Sequence, residues 1–269
     1  MMNSYNVYRR LLSAYGQQGW WPLLQRSSRP GYTQEGYHPG VYSLELSPKE
    51  RFEIITGSIL TQNTNWANVR SSLTTLLENC PFGPEFFRAA EHTELAALIR
   101  SSGYYNQKAK KLKITAEFFL QRGVTNDTAP DRKELLAIWG IGPETADSIL
   151  LYAFNHPVCV VDAYSMRIFN RLEHRGSQDN HTDNHMDNRS KRSQGGPQKT
   201  GSKNEVAGGG WNYMGLQAKF KAELPVDAEV YNEFHALLVE HGKRYCTSKN
   251  QKCFKCPLKS ECRFLAQNS

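Results

Sequence analysis

The chain has 269 residues, of which 33 are Lys or Arg and 26 are Asp or Glu, for a formal net charge of +7. That length allows one large domain or two moderate ones with a sizeable core, and the modest basic surplus fits a polyanionic partner. No stretch approaches the ~20 apolar residues that span a bilayer, and the start MMNSYNVYRRLL has no apolar h-region or small-residue cleavage site, so a membrane-spanning or secreted chain is excluded and a soluble, cytoplasmic one expected.

Residues 3–15 read as a helix with Tyr5, Tyr8, Leu11, Leu12 and Tyr15 on or near one side. Gly19-Trp20-Trp21-Pro22 follows, then a Gly/Pro/Tyr-rich connection to about Tyr42. Two adjacent tryptophans before a proline in a loop either plug a gap in the core or line a pocket. From Pro48 the pattern is helical, with Phe52, Ile55 and Ile59 along one face, and it ends in the polar run Gln62-Asn63-Thr64-Asn65 before Trp66. A second helix runs through Val69, Leu73 and Leu76. Gly103-Tyr-Tyr-Asn-Gln-Lys-Ala109 opens a third, with Ala109, Leu112, Ala116 and Phe119 inside and Lys108, Lys110, Lys111 and Lys113 on a solvated outer face.

The stretch from Leu135 to Leu172 predicts a helix, a tight Gly140-Ile141-Gly142 turn and a second helix. Leu135, Ile138 and Trp139 give the first helix its apolar stripe; Ala146, Ile149, Leu150 and Ala153 give the second helix its own at i, i+3, i+4 and i+7. Pro143 suits the first helical position, where a missing N–H costs nothing, and the glycines before it leave amides uncovered. Such a helix N-terminus is a ready phosphate site. Asp162 stands between the apolar run Val158 to Val161 and a further helix, where packing poorly explains an acid and a helix cap is the structural alternative.

Residues 173–211 differ in kind: they are polar and low in complexity, with an imperfect tetrad built on Asp179, Asp183 and Asp187, and are expected to form a disordered insertion. Beyond them a helix carries Tyr231, Phe234, Leu238 and His241 at helical spacing, with His235 and His241 read as packing or capping residues. It leads into Cys246-x6-Cys253-x2-Cys256-x5-Cys262, four thiols within 17 residues. Without a secretory signal, that density points to a metal centre rather than to disulfides. Zinc accepts four sulfurs, usually as two Cys-x2-Cys pairs, and this loop has one such pair. Cys80 and Cys159 are isolated, and Cys159 reads as a buried thiol.

The Gly140-Ile-Gly142 hairpin, the Val161-Asp162 pair and the cysteine spacing together resemble the endonuclease III superfamily of helix-hairpin-helix DNA glycosylases, over roughly residues 1–172 and 213–269. The resemblance implies an all-α, two-lobed fold. A six-helix barrel lobe would span residues 48–156, with the hairpin at about 132–154, and a cluster lobe would combine 1–47 with 157–269. It also implies that Cys246, Cys253, Cys256 and Cys262 bind a [4Fe-4S] cluster, zinc being the less favoured occupant. Gly140, Gly142, Glu144, Thr145 and Lys243 would lie on the DNA, Gln62 would enter the gap left by an extruded nucleotide, and Asp162 would be catalytic.

Bifunctional members place a lysine two residues after the second hairpin glycine; here that residue is Glu144, which cannot form a Schiff base. Adenine-removing members carry a glutamate where this chain has Gly57, with Glu53 one turn earlier as a possible substitute. Trp21 and Trp66, with Trp20 beside them, match the stacking aromatics of the 3-methyladenine glycosylases, the branch most similar to this chain. The expected activity is therefore monofunctional removal of an alkylated purine from double-stranded DNA by a monomer. A thymine or uracil mismatch glycosylase, a glycosylase with lyase activity and a non-catalytic damage-binding module are the alternatives.

Overall fold

A computed structural model describes residues 3–42, 44–125, 128–173 and 209–267. Most of the predicted 173–211 insertion lies outside them. The described residues are helical, with no extended strand: α1 Ser4–Tyr15, α2 Pro48–Leu60, α3 Trp66–Asn79, α4 Pro84–Ala89, α5 His92–Leu98, α6 Tyr105–Arg122, α7 Arg132–Ala137, α8 Pro143–Ser148, α9 Ala163–Glu173, α10 Tyr213–Glu223, α11 Ala228–Arg244 and α12 Arg263–Gln267. None of these helices is long and apolar enough to cross a membrane.

Helix α2 is the axle of the molecule. Ser47 and Glu50 form a capping box at its start, with Pro48 at the first position. The pattern predicted one apolar face, but every residue from Glu50 to Leu60 is buried. Its polar residues are inside because each acid has donors. Glu50 holds Arg26 by two hydrogen bonds of 2.6 and 2.9 Å. Glu53 accepts from the Leu24 and Gln25 amides and the Gln25 side chain. Glu53 thus fixes the short 3-10 turn at Leu24–Arg26 and is committed to it.

Around this axle pack α3, α6 and α8, while α4 and α5 lie against α6. The sequence pattern put Lys108 on a solvated face. Instead it is 2% exposed, and its ammonium donates to the Leu60 carbonyl at 2.8 Å and the Ser102 carbonyl at 2.7 Å. Leu60 ends α2, so its carbonyl has no intrahelical partner, and the lysine supplies the missing donor. Burial, and then the charge of Lys111, push the Lys108 ammonium down to about 8.

Helices α7 and α8 form the predicted hairpin, and α8 runs on into a π turn at Ile149–Ala153. Elsewhere α1 packs on α10 and α11, and α9 packs on α11 and α12. Gly242 is required where α9 meets α11, since a Cβ there would lie 2.3 Å from Cδ1 of Tyr164.

Lys108→Met keeps the length of the side chain but leaves two buried carbonyls without donors. At a cost of about 1–3 kcal/mol for each unsatisfied group, the urea midpoint should fall clearly. An unchanged midpoint would mean that water reaches both carbonyls.

Candidate active site

The hairpin turn is built on Gly140, whose φ of +86° favours glycine, and on Lys111, whose methylenes lie 2.6–2.8 Å from where a Gly140 Cβ would stand. Gly142 is extended, with φ −95° and ψ 178°, and no side chain caps the helix that starts at Pro143. The amides of its first turn are therefore left without a side-chain partner, as the sequence implied. Gln62 reaches across to this turn: its amide donates to the Gly140 carbonyl at 3.1 Å and to the Thr145 hydroxyl at 2.9 Å. Lys111 in turn donates to the Gln62 side-chain oxygen at 2.5 Å. Three residues that the resemblance placed on the DNA thus meet in one network, joined by a lysine that the sequence had placed outside. Trp139, assigned to the apolar stripe, is instead 49% exposed, with the Lys110 ammonium 4.6 Å from its ring centroid. The hairpin is too short to turn all three apolar residues inward, and the one next to the turn is left at the surface.

Asp162 is 9% exposed, and its two oxygens face different partners. Oδ1 accepts from the Ser165 amide and hydroxyl, both at 2.7 Å, which caps α9. Oδ2 lies 3.6 Å from Nε2 of His235, and the Nδ1 of that ring pairs with the Tyr152 hydroxyl at 2.5 Å. The line Tyr152–His235–Asp162 joins the π turn, α11 and the start of α9. Burial opposes charge on Asp162, but His235 and Ser165 together outweigh it and hold the carboxyl below its usual value. His235, read from sequence as a packing or capping residue, is the side chain facing Asp162 that sequence reasoning missed; a helical histidine carries no local signal of what faces it.

Glu144 sits on the first turn of α8 near this group. Crowding by protein, and then the charge of Asp162, push its carboxyl up to about 8. Glu144 is exposed to solvent, which screens much of that rise.

Three indoles pack together against Tyr152 through Trp21. Ring centroids are 5.2 Å apart for Trp20 and Trp21, 5.0 Å for Trp20 and Trp66, and 5.5 Å for Trp21 and Trp66. The Trp21 and Trp66 planes cross at 89°, so they form a corner rather than a parallel slot. Trp21 also meets Tyr152 at 5.2 Å, which links the aromatic group to the Asp162 line. A Cβ on Gly57 would lie 2.9 Å from Cζ2 of Trp21, so the indole occupies the space that a longer residue at 57 would claim. All three indole N–H groups are buried without a hydrogen-bond partner. Lys243 lies with its ammonium 6.0 Å from the Trp20 ring centroid.

Cys246, Cys253, Cys256 and Cys262 line one pocket, walled by Ile168, Leu172, Leu258 and Phe264. Donors already face the sulfurs: Arg171 lies 3.6 Å from Sγ of Cys246, and the Leu258 amide 3.4 Å from that of Cys256. Among the described residues, no three His, Cys, Asp or Glu side chains are grouped closely enough to hold a single metal ion.

Residues 56–193 match the family model described as "HhH-GPD superfamily base excision DNA repair protein". The protein MJ1434 of Methanocaldococcus jannaschii, which bears the name of a DNA repair glycosylase, is 34% identical over 266 residues, covering 96% of this chain and 94% of that protein. Among solved structures, the 3-methyladenine DNA glycosylase MagIII of H. pylori bound to 1,N6-ethenoadenine superposes with a TM-score of 0.59 at 25% identity, covering 90% of this chain and 98% of that one. An endonuclease III–DNA complex gives a TM-score of 0.64 at 18% identity, covering 100% and 99%, which is a likeness of fold.

The contacts on Asp162 stabilise its charged form, so removing them raises its pKa. Its contribution to stability is present at neutral pH and is lost as pH falls through the depressed folded-state value. Ser165→Ala and His235→Gln should each move the carboxyl titration to higher pH, read from the 13C carboxyl shift of Asp162 and assigned with Asp162→Asn. A midpoint that stays in place in both variants would show that neither contact holds the charge.

Proposed function

The chain belongs to the HhH-GPD superfamily of base excision DNA repair proteins, and from that premise we propose that it is a monofunctional DNA glycosylase that releases an alkylated purine such as 3-methyladenine. The observation that carries this reading is the pairing of Gly57 with Trp21. A neutral purine needs an acid to protonate it as it leaves, and the position that would carry one is covered by an indole. The nearby Glu53 is engaged by the Leu24–Gln25 turn and is not free to serve. A base already cationic through alkylation needs no acid. It gains from aromatic faces, which attract a desolvated cation by about 2 kcal/mol or more.

The target nucleotide would leave the duplex to reach Asp162. The ionised carboxylate, oriented by Ser165 and His235, then stabilises the positive charge that develops on the sugar and directs water to it. Glu144 cannot act as an amine nucleophile, and Lys111, the lysine against the hairpin, is committed to Gln62. Gln62, the amides after Gly142 and Lys243 would meet the DNA; a division into a barrel part around α2 and a second part built on α1 and α9–α12 would set them on either side of the extruded base. Cys246, Cys253, Cys256 and Cys262 would hold a [4Fe-4S] cluster, for which one apolar pocket shared by four thiols and faced by N–H donors is a suitable setting. When bound, that group supplies rigidity to the basic loop carrying Lys249, Lys252, Lys255 and Lys259.

Anaerobically purified protein should be yellow-brown with about four irons per chain; a colourless protein with one zinc would replace the cluster reading. Excision is tested on duplexes carrying 3-methyladenine or thymine opposite guanine. The first base should be released and the second left, with no adduct trapped by borohydride. Asp162→Asn should retain DNA affinity and lose base release by orders of magnitude. Trp66→Leu should lose more on the cationic base than on a neutral one of the same shape. Efficient thymine release, or equal losses on both bases, would overturn the alkylpurine assignment.

A further inference from the structure

Glu233 is 2% exposed on α11, two residues before His235, and the base-release reading makes no use of it. At about 100° of turn per residue, two positions set the two side chains on nearly opposite sides of the helix. His235 faces Asp162, whereas Glu233 reaches the chain just ahead of the paired tryptophans. Its carboxyl accepts from the Gln18 amide at 2.9 and 3.2 Å, from the Gly19 amide and from the Tyr42 hydroxyl. All of these donors are neutral. Burial pushes the carboxyl up against their pull, so the group is kept inside by what it holds.

The Trp20–Trp21 pair needs such an anchor, because its indoles do not supply one. The N–H groups of Trp20, Trp21 and Trp66 are buried without a hydrogen-bond partner. The rings are therefore held by apolar packing, which is non-directional. Direction comes from the backbone on either side. Gly19 lies so close to Pro39 that a Cβ would stand 2.2 Å from its nitrogen, and the Gly19 carbonyl accepts from the His38 amide at 3.1 Å. Nε2 of His38 faces the Trp21 carbonyl at 2.9 Å. Glu233 adds the anchor that belongs to the helix bearing His235. Trp21 in turn packs on Tyr152 at 5.2 Å, and the Tyr152 hydroxyl meets His235 at 2.5 Å. The path from Glu233 through the loop and two rings thus closes on the helix it left.

We propose that Glu233 is a positioning residue of the base pocket: by holding the Gln18 and Gly19 amides, it sets where Trp20 and Trp21 stand to receive the base. It acts through the loop, by the reach of its carboxyl rather than by its charge. The proposal rests on the reading of the indoles as the base pocket, and one arm of its test needs no substrate.

Two variants separate reach from charge. Glu233→Gln keeps the length and an oxygen for the amides, and its NH2 can donate to the Tyr42 oxygen. Glu233→Asp keeps the charge but is one methylene short. In protein labelled with 5-fluorotryptophan, the 19F resonances of Trp20 and Trp21, assigned with Trp20→Phe and Trp21→Phe, should move in Glu233→Asp and stay in Glu233→Gln. The resonance of Trp211, whose amide is held by Asn170, should stay in both. Release of 3-methyladenine should fall at least about tenfold in Glu233→Asp and less than about twofold in Glu233→Gln. Both should keep the affinity of the unaltered chain for a duplex with an abasic-site analogue, which offers the indoles no base. Trp20 and Trp21 resonances that stay in Glu233→Asp, or that move as far in Glu233→Gln, would overturn the proposal, as would release that falls alike in both variants. An unaltered chain that leaves 3-methyladenine in place while the fluorine shifts go as expected would sink the alkylpurine reading alone.

Discussion

The placement of the hairpin relative to Asp162 depends on one buried carboxylate. Asp147, on α8, is completely buried. It accepts from Arg132 at 2.5 and 3.1 Å, from the Tyr213 hydroxyl at 2.6 Å and from the Gln217 amide at 2.8 Å. A buried carboxylate is tolerable only when its oxygens are filled in this way. Filling them clamps α7, α8 and α10 together. Gln217 also donates to the Cys159 carbonyl at 2.7 Å, which ties the same clamp to the apolar run ending at Asp162. The hairpin and Asp162 are therefore registered to each other by side chains of α7, α8 and α10 and by the Cys159 carbonyl.

A second constraint is that α2 has no solvent face. A helix buried from Glu50 to Leu60 needs partners for its charged groups, and the partners it recruits shape both ends of the helix. Lys108 closes the Leu60 carbonyl at one end, and Arg51 holds the Ala153 carbonyl near the other. Gly57 lies between them, and the absence of a side chain there lets Trp21 close against the helix. Trp21 then supports Tyr152, and Tyr152 supports His235. The missing Cβ at one position thus reaches Asp162 through three packed rings.

Much of the fold was legible because its signals are local. The Gly140-x-Gly142-Pro143 turn, the i, i+3, i+4, i+7 stripe of α8 and the crowding of four cysteines need only neighbours in sequence. The illegible parts were those set by distant segments. Lys108 reads as one of four solvated lysines, and only the open end of α2 singles it out. Trp139 reads as core, yet the turn leaves it exposed. Glu53 invites a catalytic reading until the Leu24–Gln25 turn occupies it. His235 and Asp162 are 73 positions apart in the chain, and no periodicity announces that α11 turns that ring toward α9. The same holds for Asp162, read either as a cap or as a catalyst: one oxygen caps α9 and the other faces His235, so capping leaves an oxygen free for a second role.

The charge at the site follows from what stands at position 144. A lysine there would neutralise Asp162 in the resting state. Glu144 instead is pushed upward by the surrounding protein and by Asp162, although it is exposed and solvent screens that shift. Of two neighbouring carboxyls, one is held ionised and the other is driven toward its acid form. Asp162 is itself buried, so its charge acts on an adjacent cation through a low dielectric, where it is worth more than at a solvated surface. A glutamate at this position carries no amine, so the hairpin holds no Schiff-base nucleophile at residue 144, and the charge acting on it is that of the Asp162 carboxylate, which Ser165 holds.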